Sequence, residues 1–100
     1  MLDTNLINTL GGEIYNYYIK CCGNEEEGYE VIDVDLEGDV TNKLTENNIE
    51  VNKVNIDKLS DKVEDLMSKD YKIYLGNYIV DGVCETVENG IAFVSKKKLY

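Results

Sequence analysis

Carboxylates are the side chains through which this sequence could most readily do chemistry. It has 20 Asp and Glu residues against 10 basic residues, which gives a formal net charge of −10, and it has no His. Residues 1–50 hold twelve of the acids and two lysines, whereas residues 51–100 hold eight of each. Grouped carboxylates can transfer protons, bind a hard cation or attract a basic partner. The excess negative charge lies entirely in the first half of the chain.

Most of the common catalytic groups are missing. Without His there is no Ser–His or Cys–His nucleophilic pair, and without Arg there is no bidentate clamp for a phosphate or carboxylate. The sequence has no glycine-rich phosphate loop. A carboxylate pair could still hydrolyse a substrate, but a chain of 100 residues leaves little room for a cleft. We therefore expect a protein that is not an enzyme and that uses no cofactor.

The segment 33–44, DVDLEGDVTNKL, is the best local match to a metal-binding motif. Asp33, Asp35 and Glu37 stand at the first, third and fifth positions of a Ca²⁺ loop, and a glycine follows at the sharp turn. These residues resemble the loops of EF-hands and dockerins, and the resemblance implies oxygen ligands around one Ca²⁺. The last position is Leu44, where the pattern requires a bidentate carboxylate. A Ca²⁺-binding module is the weakest of three functional hypotheses, and we assign no metal ligand.

The acidic run is the strongest indication of a binding site. From Glu25 to Glu50 there are ten acids and a single base, Lys43. A solvated acidic face is the ordinary explanation of such a run. However, crowded like charges cost stability, and a basic partner would relieve that cost and accelerate association. Tyr is frequent at interface hot spots, and the chain has eight Tyr to one Phe. The residues predicted to bind the partner are Glu25, Glu26, Glu27, Tyr29, Glu30, Asp33, Asp35, Glu37 and Asp39.

The elements that position these residues follow from hydrophobic periodicity. The spacing of apolar residues predicts helices over 4–22 and 57–69, and strands over 29–36, 49–56, 72–75, 83–88 and 91–95. Residues 40–48 are ambiguous and fit one short helical turn. An acidic loop is expected over residues 25–28, and a turn at Gly76-Asn77 or Asp81-Gly82 is expected after the strand 72–75. Asn89-Gly90 is the strongest hairpin signal and predicts a turn between the strands 83–88 and 91–95. We expect one α+β domain over residues 1–100, in the order α-β-β-α-β-β-β, with a mixed or antiparallel sheet and two helices.

Cysteine usage and hydropathy bear on location. Cys21, Cys22 and Cys84 cannot all pair within one chain, so we expect reduced thiols and a cytoplasmic protein. No apolar run is long enough for a membrane span or resembles the core of a secretory signal. The basic segment Lys96-Lys97-Lys98 is too small to bind nucleic acid directly against the field of the acids. It is expected to be solvated or to contact the acidic half of a neighbouring copy.

Three hypotheses follow for function. The leading one is a small acidic inhibitor whose carboxylates imitate nucleic-acid charge and block a basic, nucleic-acid-binding protein. Anti-CRISPR and anti-restriction proteins of phages or mobile elements, and immunity proteins of nuclease toxins, are of this physical type, although no family motif links the chain to them. The alternative is a structural or assembly protein of a phage or mobile element that forms a homo-oligomer. The third is the Ca²⁺-binding module of residues 33–44.

Overall fold

The structure, a computed structural model, describes residues 2–100. Within this range the chain has an α+β fold with three helices and one four-stranded antiparallel sheet. The elements are α1 (Thr4–Cys21), β1 (Gly23–Glu26), β2 (Tyr29–Val34), α2 (Leu36–Glu46), α3 (Lys53–Met67), β3 (Tyr71–Val80) and β4 (Val83–Ser95). None of the helices in this range is long and apolar enough to cross a membrane.

The sheet has the order β1-β2-β4-β3, and every neighbouring pair is antiparallel. β4 is therefore central, with β2 on one side and the first half of β3 on the other, while β1 and β3 form the two edges. The direct partners Val34 and Ile91 fix the register of β2 against β4. This confirms the α+β class and selects the antiparallel sheet from the two predicted alternatives.

The helices cover one face of the sheet. Ile32 and Val34 of β2 point into the main core with Phe93 of β4, as the alternation of β2 predicts. Tyr18 of α1 is completely buried there, with its ring centroid 6.3 Å from that of Phe93. Apolar residues at helical spacing on all three helices complete the core. Each helix is therefore amphipathic, with one face buried against the sheet.

The other face of the sheet is covered by the β3–β4 hairpin itself. The hairpin bends at Gly76 and Gly90, whose φ angles of 82° and 140° suit only glycine. Tyr78 and Val80 of its far half then pack with Val31, Ala92 and Val94 in a second buried cluster. A β-bulge makes the bend possible. Between the pairs Leu75–Ile91 and Asn77–Thr86, β3 has one unpaired residue, whereas β4 has the four residues 87–90.

One predicted strand is wrong. Residues 49–56 are not a strand, because Asn52 caps α3 and the helix begins at Lys53, four positions before its predicted start. The Asn52 side chain accepts a hydrogen bond from the Asn55 N–H at 2.8 Å. Ile49, which lies outside the helix, is buried in the main core. The mismatch in alternation along this segment therefore reflects a loop followed by a helix.

The ambiguous segment 40–48 and the end of the predicted strand 29–36 also need correction. β2 ends at Val34, because Asp35 caps a new helix by accepting a hydrogen bond from the Gly38 N–H at 3.0 Å. Leu36 and Val40 then lie one helical turn apart and are both buried. The observed order is therefore α-β-β-α-α-β-β, with three helices where two were predicted.

One predicted turn is confirmed and another is wrong. β3 and β4 form one hairpin whose turn is Asp81-Gly82, one of the two predicted alternatives, with φ angles of 48° and 79°, as hairpin turns of this kind require. Asn89-Gly90, the predicted turn, lies inside β4 at the bulge. The acidic loop is shorter than expected, because Gly23–Glu26 pairs with β2 as the edge strand β1.

Candidate protein-interaction surface

The nine residues predicted to bind a partner do not lie on one surface. Five lie on or beside the β1–β2 hairpin, namely Glu25, Glu26, Glu27, Tyr29 and Glu30. Asp33 lies at the other end of β2. Asp35 caps α2, and Glu37 and Asp39 follow in its first turn. Among these residues, Glu26 and Asp33 line a common concavity on the outer face, whereas Asp35 and Glu37 line another at the start of α2.

The outer concavity, which we call the acidic pocket, gathers charge from both halves of the chain. It has a volume of about 190 Å³ and is lined by residues from all four strands. Its carboxylates are Glu26 of β1, Asp33 of β2, and Glu85 and Glu88 of β4, arranged with Tyr78 of β3. No lysine lines it. Glu85, Glu88 and Tyr78 were not predicted, because along the chain they belong to the electrically neutral half.

Asp33 holds the acidic pocket together. Its carboxylate accepts hydrogen bonds from the backbone N–H groups of Glu88 at 2.8 Å and Asn89 at 2.9 Å. These two residues lie in the β4 bulge, where the strand ladder leaves backbone donors without partners. The bend of the hairpin is thus fixed to β2, and Glu85 and Glu88 are placed beside Glu26 and Asp33.

The electrostatics of the pocket are those of a site without a counter-ion. Burial, and after it the negative charges of Glu26, Glu85, Asp33 and Glu88, raise the pKa of Tyr78 above its ordinary value. Within residues 2–100, the lysine ion pairs engage Glu13, Glu46, Asp57 and Asp81, and none of them engages a carboxylate of the acidic pocket. The pocket therefore presents uncompensated negative charge to solvent.

Two of the predicted binding residues have hydrogen-bond partners inside the fold. Asp39 accepts a hydrogen bond of 2.6 Å from the hydroxyl of the buried Tyr18. Burial, together with Asp39, raises the pKa of that phenol. Glu30 accepts a hydrogen bond from the Tyr71 hydroxyl, and burial followed by this contact raises the pKa of Tyr71. These two carboxylates are internal partners of buried phenols, so part of their effect is to stabilise the fold.

The 96–100 segment contacts other parts of the same molecule. Lys98 forms an ion pair with Asp81 at the hairpin turn, with Nζ 2.6 Å from Oδ2. The Leu99 N–H donates to the Gly28 carbonyl oxygen at 2.6 Å. The prediction of a solvated segment agrees with the structure in part: all five residues are exposed, whereas the Lys98 amine and the Leu99 N–H also have partners within the same molecule.

The Ca²⁺-loop geometry expected over residues 33–44 is not formed. Asp33 ends a strand and Asp35 caps a helix, and their oxygens accept backbone N–H groups. Gly38, expected at the sharp turn of the loop, is inside α2. Within residues 2–100 no three side chains of the types that ligate metals are grouped closely enough to hold an ion.

The free edge of β3 is the second exposed surface. Leu75 is 75% exposed and Ile73 is 36% exposed, and both lie where β3 has no outer neighbour. A strand edge with apolar side chains can pair with another chain. Cys21 and Cys84 are exposed and Cys22 is half-buried, and none of the three is in a disulfide.

The chain defines a small α+β protein with an acidic pocket. Its sequence matches no protein-family model, and neither a curated protein nor a solved structure matches it significantly.

Proposed function

We propose that this protein is a non-enzymatic inhibitor whose acidic pocket docks on a basic, nucleic-acid-binding surface of a partner protein. Its carboxylates would take the place of phosphates on that surface. The observation that carries this proposal is the convergence of four carboxylates from three strands around Tyr78, with no lysine among the lining residues. Inhibitors of phage or mobile-element origin and immunity proteins of nuclease toxins are the corresponding physical types.

The energetics favour a basic partner. Four carboxylates around one concavity repel one another, and they lack an internal cation within the described part of the chain. A lysine- or arginine-rich surface relieves this repulsion and accelerates encounter by electrostatic steering. The Tyr78 ring is buried beneath these charges, so it supports the floor of the pocket and leaves the contact with the partner to the carboxylates.

The residues that would contact the partner can be separated from those that build the pocket. Glu26, Glu85 and Glu88 are exposed, and their carboxylates accept no hydrogen bond from residues 2–100. Asp33 is occupied by the β4 bulge. Neutralising Asp33 would therefore disturb the fold as well as the charge, whereas the three glutamates test the charge alone.

The test compares two variants with the same net charge. One is Glu26→Gln with Glu85→Gln and Glu88→Gln. The matched control is Glu50→Gln with Asp61→Asn and Asp65→Asn, which removes three exposed charges from the helical side of the molecule. Wild type and both variants are immobilised and exposed to lysate of the native host. Bound proteins are eluted with rising salt or with duplex DNA.

The expected result is a protein retained by wild type and by the control, lost from the pocket variant, and eluted by duplex DNA. Equal retention by the two variants would mean that the acidic pocket is not the binding site. Failure of DNA to compete would contradict the imitation of nucleic acid.

A second candidate function is assembly into a homo-oligomer, and the exposed edge of β3 favours it. Leu75 and Ile73 make this edge apolar. Exposed apolar surface does not stabilise a monomer, whereas pairing with a second chain would bury it. Sedimentation distinguishes the two functions. A monomer at every concentration excludes assembly, whereas an oligomer that Leu75→Lys dissociates supports it.

A further inference from the structure

The 96–100 segment has basic and aromatic side chains and lies across the acidic turn of the β1–β2 hairpin. Besides its ion pair with Asp81, the Lys98 amine lies 6.0 Å from the centroid of the Tyr29 ring. This distance is within the range of cation–π attraction. One lysine therefore meets a carboxylate and an aromatic face at the same place.

The contact also uses the backbone. The Leu99 N–H donates to the Gly28 carbonyl oxygen, and the next residue, Tyr100, donates its hydroxyl to the Glu25 carboxylate. Backbone hydrogen bonding does not depend on side-chain identity, so any extended segment can make it. Specificity for a basic segment comes from Asp81, Tyr29 and Glu25. We call these three residues, together with Gly28, the turn site.

The segment is held loosely. Tyr100 is 82% exposed and Leu99 is 55% exposed, so little apolar surface is removed from water. The ion pair with Asp81 is itself partly exposed, with both side chains more than 40% accessible, so water weakens it. Segments with few buried contacts open at low free-energy cost. A competing segment with the same chemistry can therefore replace this one.

We propose that the turn site is a binding site for an extended, lysine-rich segment of the partner protein, and that residues 96–100 occupy it until that segment displaces them. The inference deepens the proposed function and rests on it for the nature of the partner. The turn site is separate from the acidic pocket, since none of its residues lines that pocket. The partner would thus be engaged at two places, by its basic surface and by a basic extended segment.

The test uses the full chain and a labelled synthetic peptide with the sequence of residues 94–100, VSKKKLY. In one variant, Lys98→Ala, Leu99→Pro and Tyr100→Ala remove the amine, the N–H donor and the hydroxyl that hold the segment. We expect the peptide to bind this variant about tenfold more tightly than wild type, because a tethered competitor acts at a high effective concentration. Adding Asp81→Asn to the variant should weaken the peptide again, and a peptide with Gln for Lys should not bind.

A measurement on wild type alone gives an independent check. The amide hydrogen of Leu99, which is bonded to Gly28, should exchange more slowly than that of Lys97. Equal exchange at the two amides, or equal peptide affinity for wild type and variant, would overturn the inference.

The two proposals can fail separately. If the peptide binds as expected while the pocket variant still captures the partner, the turn site stands and the proposed role of the acidic pocket falls. If the peptide binds neither chain, the turn site falls whatever the capture experiment shows.

Discussion

Asn89 donates two hydrogen bonds to Asp33, across 56 positions of sequence. The Asn89 backbone N–H donates to the Asp33 carboxylate at 2.9 Å, and the Asn89 side-chain amide donates to the Asp33 carbonyl oxygen at 3.2 Å. These two hydrogen bonds join the end of β2 to the bulge of β4. The hairpin bends over the outer face at this bulge, so the Asp33 side chain determines both the bend and the shape of the acidic pocket.

Asp33→Ala should therefore lower the free energy of unfolding by about 1–3 kcal/mol, because two backbone donors lose a charged acceptor. Asp33→Asn, which keeps one oxygen acceptor, should cost less. Urea unfolding gives the free energies, and amide exchange at Glu88 and Asn89 reports the local effect. Asp61→Ala, on the exposed side of α3, is the control, and a loss as large as that of Asp33→Ala would contradict the bridging role.

Adjacent glycines in α1 should respond differently to the same substitution. A methyl group at Gly12 meets nothing within 4 Å, so Gly12→Ala should raise the free energy of unfolding by up to about 1 kcal/mol through helix propensity. A methyl group at Gly11 would lie 2.6 Å from Cγ of Lys62 on α3. Gly11→Ala should gain less or destabilise, since the lysine stem must shift. Equal gains in urea unfolding would contradict the close packing of α1 on α3.

Tyr18 should make stability fall at alkaline pH. Burial, and after it the Asp39 carboxylate, raise the pKa of the Tyr18 phenol, so the native state keeps this proton where the unfolded chain releases it. The contribution is complete below the unfolded pKa of about 10 and is lost as the pH rises further. In Tyr18→Phe this fall should be shallower by about 1.4 kcal/mol per pH unit, as one proton requires.

At neutral pH, Tyr18→Phe should cost about 1–2 kcal/mol, because Asp39 loses its donor in a partly buried setting. Urea unfolding over a pH series measures both effects. Tyr17→Phe, at an exposed ring of the same helix, is the control. Parallel curves for wild type and Tyr18→Phe would show that Tyr18 is not the titrating group.

The elements that could be predicted are those whose own periodicity determines their burial. α1 and α3 have apolar residues every three or four positions, and β2 alternates between Ile32 on one face and Val31 on the other. α2 was ambiguous because only every fourth residue is apolar and buried, and its beginning depends on a cap. β1 has no apolar residue and is a strand only because β2 lies beside it.

Two of the four carboxylates of the acidic pocket could be predicted, because patterns in the sequence reveal only residues that are close along the chain. Glu26 and Asp33 belong to the local acidic run that the sequence displays, and they do meet at the pocket. Glu85 and Glu88 join them only through the bulge at Asn89-Gly90, which as a dipeptide is typical of a hairpin turn. The bend depends on the acceptor at Asp33, a partner far away in sequence that no local pattern identifies.

The two edges of the sheet differ in how they would meet a second copy of the chain. On β1, Glu25 lies directly opposite Glu30, and the whole strand is exposed, so two such edges would bring carboxylates together. A second β1 edge is therefore an unfavourable neighbour for β1. The outer edge of β3 carries Lys72 and no carboxylate over residues 71–75. Self-pairing through β3, in contrast, gives a closed pair of molecules, because each molecule uses that edge once.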